Sequence, residues 1–557
     1  MRRLFLCTVA TLGIASGVGT LLLACGQSSN DKGFANDGGG VGSSSGTGTG
    51  SGSGSGGFVS GDGGVSFFPS GDGSTGTSGE GGVCAGLQCQ ITACSNDGGT
   101  TITGKVMDPA GANPLYNVLA YVPLYDPANP SAIPAGQGIQ PIQGGVTFPS
   151  GVSCDSCSYL YTGTPIAVGL SGTDGTFTIT NAPSGANIPI VVQVGKWRTH
   201  TTVANVTACG TADAGMIKLP GSADGTDPIV SMPQIAISMG GADSVECLPY
   251  RMGLSLSEFT SGASTTGHIH VFSGGGGKGG KGGGTSPPTS STALWDSLTD
   301  LEKYDVSLFS CEGSETTDAN PALLEQYVNA GGRAFLSHYH YAWLAGPLEG
   351  GGSYTAPTDW GTNLATWNNM DEGADQGVVI GASIVTSLNV GGGAFPKGQA
   401  LDSWLTNVGA LGTNGVPAAE VAVNSPAFDP KVTSANTISQ PWASYDPSTD
   451  STDSTSATSF PTAYFSFNTP VGAVAPPDGG SPPYCGRVVF SGLHVGAAAN
   501  DSTNGRTMPS ATTCDPTPGN LSPQEKVLEF MLFDLSSCVT PDTASQAPPI
   551  QTPPPPK

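Results

Sequence analysis

Cations are scarce in this chain: 18 lysines and arginines stand against 42 aspartates and glutamates in 557 residues, for a formal net charge of -24. That balance excludes nucleic acid and anionic lipid headgroups as partners, since both would be repelled. Charge of either sign is thin at 11% of residues, where globular chains average about 25%. Large side chains are nearly missing from Gly26 to about Gly82, so 26–82 cannot bury enough surface to offset its ordering entropy. Several site signatures are missing as well. There is no His-Glu-x-x-His, no Gly-Lys-Ser/Thr after Gly240-Gly241, and no second Cys-x-x-Cys beside Cys154-x-x-Cys157. Glycine is what the chain has in excess, with 85 residues, so much of its length must be linker.

Residues 1–25 read as a secretion signal: Arg2 and Arg3, an apolar run from Leu4, then Leu22-Leu23-Ala24-Cys25. Those last four match a lipobox, and the start resembles that of bacterial lipoproteins. The resemblance implies a diacylated Cys25 thiol, cleavage before it and an acylated new amino terminus. Several acyl chains, at about 0.8 kcal/mol per buried methylene, anchor far more firmly than one myristoyl group. The alternative, a single transmembrane anchor, is disfavoured by a short run that ends at the cysteine. Gly26 after the cysteine, where aspartate would signal inner-membrane retention, implies by the same resemblance the outer membrane or cell surface. Residues 26–82 then form a disordered glycine-serine tether holding the folded part about 40 Å from the membrane.

Of the 13 cysteines, Cys7 and Cys25 belong to this start, which leaves eleven from Cys84 to Cys538. An exported chain should pair them as disulfides, at least four, with one left over. A zinc site on Cys154-x-x-Cys157 is the alternative.

The fold class expected is multi-domain: a β-sandwich at 83–220, a flavodoxin-like α/β domain at 233–538, and a disordered proline-rich tail at 539–557. In the first unit, Ile102, Gly104 and Val106 alternate, Asp108-Pro109-Ala110-Gly111 turns, and Val118, Ala120 and Val122 alternate again. Asp174-Gly175 precedes Phe177 and Ile179, and Ile188 to Val194 is a further strand. The strings TITGKVMDPAGANPLYNVLAYVP and DGTFTITNAPSG resemble carboxypeptidase regulatory-like, transthyretin-like domains, which carry no catalytic residues. His200, its one histidine, reads as a solvated strand-end residue.

In the second unit strands alternate with helices. Strands are expected at 233–239, 267–272, 304–313 (ending in a turn), 333–337 and 487–494, and helices at 294–301, 321–330 and 523–535, with a flexible loop at 273–291. Gly331 stops one helix and feeds Arg333-Ala334-Phe335-Leu336-Ser337 into His338-Tyr339-His340-Tyr341. Ala345 to Gly480, rich in Gly, Asn, Asp and Ser, reads as a large insertion. The order resembles the class I glutamine amidotransferase and ThuA-like superfamily, with YDVSLFSCEG in the place of the oxyanion strand and loop, GGRAFLSHYHYAWL in that of the nucleophile strand, and FSGLHVG in that of the histidine strand.

The departures bear on activity. Ser337, His338 and Tyr339 occupy the region where the resemblance requires an elbow cysteine, and Gly496 stands where a carboxylate should orient His494. Cys311, in the oxyanion loop, is expected to pair with Cys247. The domain therefore reads as a degenerate amidotransferase with a candidate pocket of Cys311, Glu312, Ser337, His338, His340 and His494. Five of the six histidines lie in it, and on an extended strand His338 and His340 share a side, as do His268 and His270. A divalent metal on His338, His340 and His494, completed by Glu312, is the alternative to no cofactor. The expected function is a non-catalytic surface lipoprotein binding an extracellular polymer or protein. An extracellular, metal-dependent hydrolase is the rival, and a purely architectural role a third.

Overall fold

The computed structural model describes residues 84–544 except 96–98, 127–128, 130–147, 149–150, 153, 155–164, 228, 275–288, 351, 369–377, 446–458, 475–476, 478–482, 499–500, 502–506 and 516. The expected signal, Cys25, the expected tether, Cys157, most of the 273–291 loop and the end of the expected tail lie outside these residues. Among the described residues the protein is mostly sheet, in several sheets with few helices.

The period-two stretches become β1 (Thr101–Met107), β2 (Leu119–Pro123), β3 (Pro165–Leu170), β4 (Thr176–Ile179), β5 (Gly185–Val194), β6 (Trp197–Val206) and β7 (Thr211–Lys218). They pair as a three-stranded sheet, β4-β1-β7, and a four-stranded one, β3-β2-β5-β6. Alternation puts Ile188, Ile190 and Val192 of β5 into a core shared with Ile102 and Val106 of β1 and Phe177 of β4. Val191, between them, joins Leu119 and Tyr121 in a separate cluster. The turn before β4 works through Gly175, at φ +79°, while Asp174 Oδ1 accepts from the Thr176 amide at 3.0 Å.

The third sheet has eleven strands. Its parallel part holds β8 (Ile235–Met239), the short β9 (Phe259–Ser261), β10 (Ile269–Ser273), the short β11 (Thr289–Ser290), β12 (Val306–Phe309) and β13 (Arg333–Ser337). Helix α1 (Cys247–Arg251) follows β8, and α2 (Pro321–Asn329), with proline in its first turn, feeds β13 through Gly331 at φ +124°.

The stretch expected as an insertion supplies strands instead: β14 (Thr366–Trp367), β15 (Val379–Ile384), β16 (Glu420–Asn424), β17 (Pro430–Lys431), β18 (Gln440–Tyr445) and β19 (Thr462–Thr469), with helix α3 (Pro396–Asn407). Four of them extend the sheet in antiparallel fashion, giving the order β11-β10-β8-β12-β13-β20-β19-β18-β15-β16 once β20 (Gly486–Ser491) is placed beside β13. The loops between these strands carry the Gly, Asn, Asp and Ser that give the stretch a linker's composition. Segments such as Ala463-Tyr464-Phe465 between those loops are fully buried.

The closing helix, α4 (Pro523–Ser536), starts from a Ser522–Glu525 capping box. It is buried on more than one face, because the first two sheets cover the side that an amphipathic surface helix would expose. Phe530 stacks on Tyr116 at 5.7 Å and Phe533 meets Trp197 at 4.9 Å. From α3, the Trp404 indole donates to the Pro114 carbonyl at 2.6 Å. One core thus runs from 84–220 into 233–538.

Disulfides join Cys84–Cys89, Cys94–Cys209, Cys154–Cys485 and Cys247–Cys514; Cys538 is also disulfide-bonded, and Cys311 is free and buried. Cys154 therefore belongs to a disulfide and not to a zinc site, and Cys247 is bonded to Cys514 and not to Cys311. The start of the expected tail is tied down too, for Asp542 pairs with Arg487 at 2.5 Å.

Candidate functional site

Parallel strands end on the same edge of a sheet, and four adjacent ends meet here. The turn after β8 brings Asp243, the end of β12 brings Ser310 and Cys311, β13 brings Ser337 and His338, and the turn after β20 brings His494. Gly240 makes the approach of the first two ends feasible, since a Cβ there would lie 2.0 Å from the Cys311 carbonyl oxygen. Close packing between strand ends thus accounts for the first glycine of the Gly240-Gly241 pair. A fifth contribution comes from the segment after β16: Ala427 donates to the Gly492 carbonyl at 2.9 Å, and this carries Asp429 to the cluster.

The backbone of β13 turns sharply at its end. His338 has φ +43°, a left-handed conformation costly for a residue with a ring on its Cβ. The turn aims the His338 ring at its neighbours: Nδ1 lies 3.4 Å from Cys311 Sγ and 2.8 Å from His494 Nε2, and Nε2 lies 3.7 Å from Asp429 Oδ1. Beneath it, the Cys311 amide donates to Ser337 Oγ at 2.9 Å, and Ser337 adjoins Asp243. Asp243 also accepts from the amides of Val495 at 2.9 Å and Gly496 at 2.7 Å.

All of these groups are sealed from solvent, with Cys311 at 0%, His338 at 1% and His494 at 4% exposure. Burial holds the His338 imidazole well below the ordinary histidine range, helped by His494 and His340 nearby. It lowers His494 too, with Asp243 pulling the other way. Burial pushes the Cys311 thiol up, so that it stays protonated at neutral pH. The carboxyls of Asp243 and Asp429 are raised by burial as well, the second also by Glu349. A protonated thiol between two neutral imidazoles is not an activated nucleophile. It is a convergent set of one sulfur and two nitrogen donors.

Several expectations need correcting. His338 and His340 do not lie on an extended strand; they begin and end a single helical turn, His338–His340. His340 points into the aromatic core, 5.8 Å from both Phe309 and Trp343, and neither ring nitrogen has a hydrogen-bond partner. Burial lowers it to about 4. His268 and His270 lie at the opposite edge of the sheet, at the start of β10, where Glu258 Oε2 meets His268 Nδ1 at 2.7 Å and Tyr304 Oη meets His270 Nδ1 at 2.8 Å. Glu312 turns away from the cluster and accepts from Thr316 Oγ1 at 3.2 Å. A carboxylate does stand near His494 despite Gly496: it is Asp243, arriving from β8.

Asp243 and Asp429 escaped the sequence reading. The first follows a strand and a glycine turn, the place where α/β sites lie, and so carried a usable signal. The second sits among residues of linker composition and carried none.

No protein-family model and no curated protein matches the chain. Among solved structures, part of it is similar to a crystal structure of a 9R-lipoxygenase from Cyanothece PCC8801, at 13% identity and a TM-score of 0.11. The match covers 24% of this chain and 19% of that one, and supports no conclusion about fold or activity.

Proposed function

We propose that this chain is a non-catalytic lipoprotein of the outer membrane or cell surface that binds an extracellular polymer or protein. In this reading Cys25 carries the lipid, 26–82 is the tether, 83–220 is a carboxypeptidase regulatory-like β-sandwich, and 233–538 is a degenerate, flavodoxin-like amidotransferase domain. The observation that carries the non-catalytic part is the sealing of the Cys311–His338–His494 cluster with a protonated thiol, since acyl transfer needs a thiolate that a substrate can reach. The acidity of the chain favours neutral or cationic partners.

The test assays the full chain for hydrolysis of glutamine and of a p-nitrophenyl ester. No turnover above buffer is expected; turnover abolished by Cys311→Ala would overturn the reading. Anchoring is tested separately by Cys25→Ser, which should move the protein from the detergent to the aqueous phase on phase partitioning. Unchanged partitioning would point to a transmembrane anchor in place of a lipid.

A further inference from the structure

We propose that Cys311 Sγ, His338 Nδ1 and His494 Nε2 form a binding site for one thiophilic late first-row cation, zinc or copper. The three donor atoms all lie within 4.8 Å of one another and come from three adjacent strand ends. With bonds of about 2.3 Å to sulfur and 2.0–2.1 Å to nitrogen, the donors around one such ion stand roughly 3.3 to 3.8 Å apart. Here sulfur and the nearer nitrogen are 3.4 Å apart, the two nitrogens 2.8 Å and the third pair within 4.8 Å, so the donors need move by no more than about an ångström. One thiolate with two imidazoles suits zinc or copper and not the oxygen-seeking magnesium or calcium.

A second observation points to the same ligand. Histidines that bind metals commonly donate their other ring nitrogen to a carboxylate. His338 Nε2, the nitrogen facing away from the cluster, lies 3.7 Å from Asp429 Oδ1, and Asp429 Oδ2 is buried with no hydrogen-bond partner. Asp243 stands beside His494 in the chain fold, accepting from the next two amides, those of Val495 and Gly496. Among the described residues neither carboxyl is ion-paired to a lysine or arginine, and a cation held by the three donors would favour the charged form of both.

The other convergent set, Cys247, Asp501 and Cys514, is excluded because its two sulfurs are bonded to each other. Binding at Cys311 breaks its S–H bond and forms a metal–sulfur bond, with the proton leaving to buffer. The proton shared by His338 Nδ1 and His494 Nε2 moves to the far nitrogen of whichever ring carries it. For His338 that is the nitrogen facing Asp429.

The test uses the untagged full chain with its disulfides intact, treated with a chelator, then titrated separately with zinc, cobalt(II) and copper(II). Zinc is expected to bind at one equivalent, release protons and raise the thermal midpoint. Cobalt should add a thiolate-to-metal charge-transfer band; an intense visible band with copper, and copper outcompeting zinc, would assign the site to copper. Cys311→Ser should abolish the charge-transfer bands, His494→Ala the one-equivalent binding, and His340→Ala neither. Asp429→Asn, which keeps shape and packing, should weaken binding about 10- to 100-fold and serves if the ligand variants fail to fold. No uptake of any of the three ions by wild type, or uptake unchanged by Cys311→Ser and by Asp429→Asn, would overturn the proposal.

Discussion

Replacing Glu529 with glutamine is expected to remove much of the loss of stability that the protein suffers as pH rises above the ordinary carboxylate range. Glu529, on α4, and Asp108, just after β1, are both fully buried and interact across the core that joins the first two sheets to the third. Asn113 Nδ2 donates to Glu529 Oε2 at 2.7 Å and the Ala112 amide to Asp108 Oδ1 at 2.7 Å. Asp108 Oδ2 and Glu529 Oε1 have no hydrogen-bond partner, so two charges there would go uncompensated and the pair is expected to retain a proton. Burial, then the Asp108 charge, push Glu529 well above its ordinary value of 4.5, and burial raises Asp108.

A raised carboxyl contributes its stability in full below the unfolded value and loses it as pH climbs through the folded one. The unfolded chain gives up its proton first, so each retained proton is worth about 1.4 kcal/mol per pH unit across that interval. The glutamine side chain of the variant needs no proton, and its amide can donate to Asp108. Urea unfolding from pH 5 to 9 should therefore show wild type and Glu529→Gln diverging as pH rises, the variant being the more stable. A difference constant with pH would show that the two carboxyls do not share a proton.

Arg251→Met should lower stability by about 3–5 kcal/mol, the cost of leaving buried charge without its partner. The Arg251 guanidinium, 1% exposed, bridges Asp501 at 2.6 Å and Glu525, whose side chains are 0% and 1% exposed. Glu525 is also the third residue of α4, and its Oε2 accepts from the Ser522 amide at 2.9 Å in the capping box. Losing Arg251 strands two carboxylates and disturbs the start of the helix that covers the core. Arg251→Lys keeps the charge but not the two-pronged donor, and should fall between. The check is the denaturant midpoint at unchanged m value. A loss under about 1 kcal/mol by Arg251→Met would mean that these carboxylates are as well satisfied by water as by arginine.

How much was legible in advance differs along the chain, for a physical reason. Wherever burial is one-sided or turns are local, the side-chain period and the turn residues report the element directly. Ile102 to Val106, the stop at Gly331 and the start of α4 at Pro523 are of this kind. The five main parallel strands were legible from their short apolar runs, and with them the edge of the sheet on which Ser337, Cys311 and His494 stand.

Composition averaged over a long stretch misled where short buried strands lie between long polar loops. For that reason β15, β16, β18 and β19 passed for an insertion, and Asp429 passed with them.

Residue order by itself determined the acidic balance, the odd count of cysteines from Cys84 to Cys538 and the succession of strands and helices outside 345–480. Tertiary structure alone decided which histidines meet. His338 and His340 are two residues apart, and one left-handed φ at His338 sends the first to Cys311 and His494 and leaves the second among Phe309 and Trp343. It alone decided as well that Cys247 bonds Cys514 while Cys311 stays free, and that the carboxylates beside the histidines come from β8 and from the turn after β16. Such pairings depend on which distant strand ends become neighbours, and a linear pattern of residues carries no term for that distance.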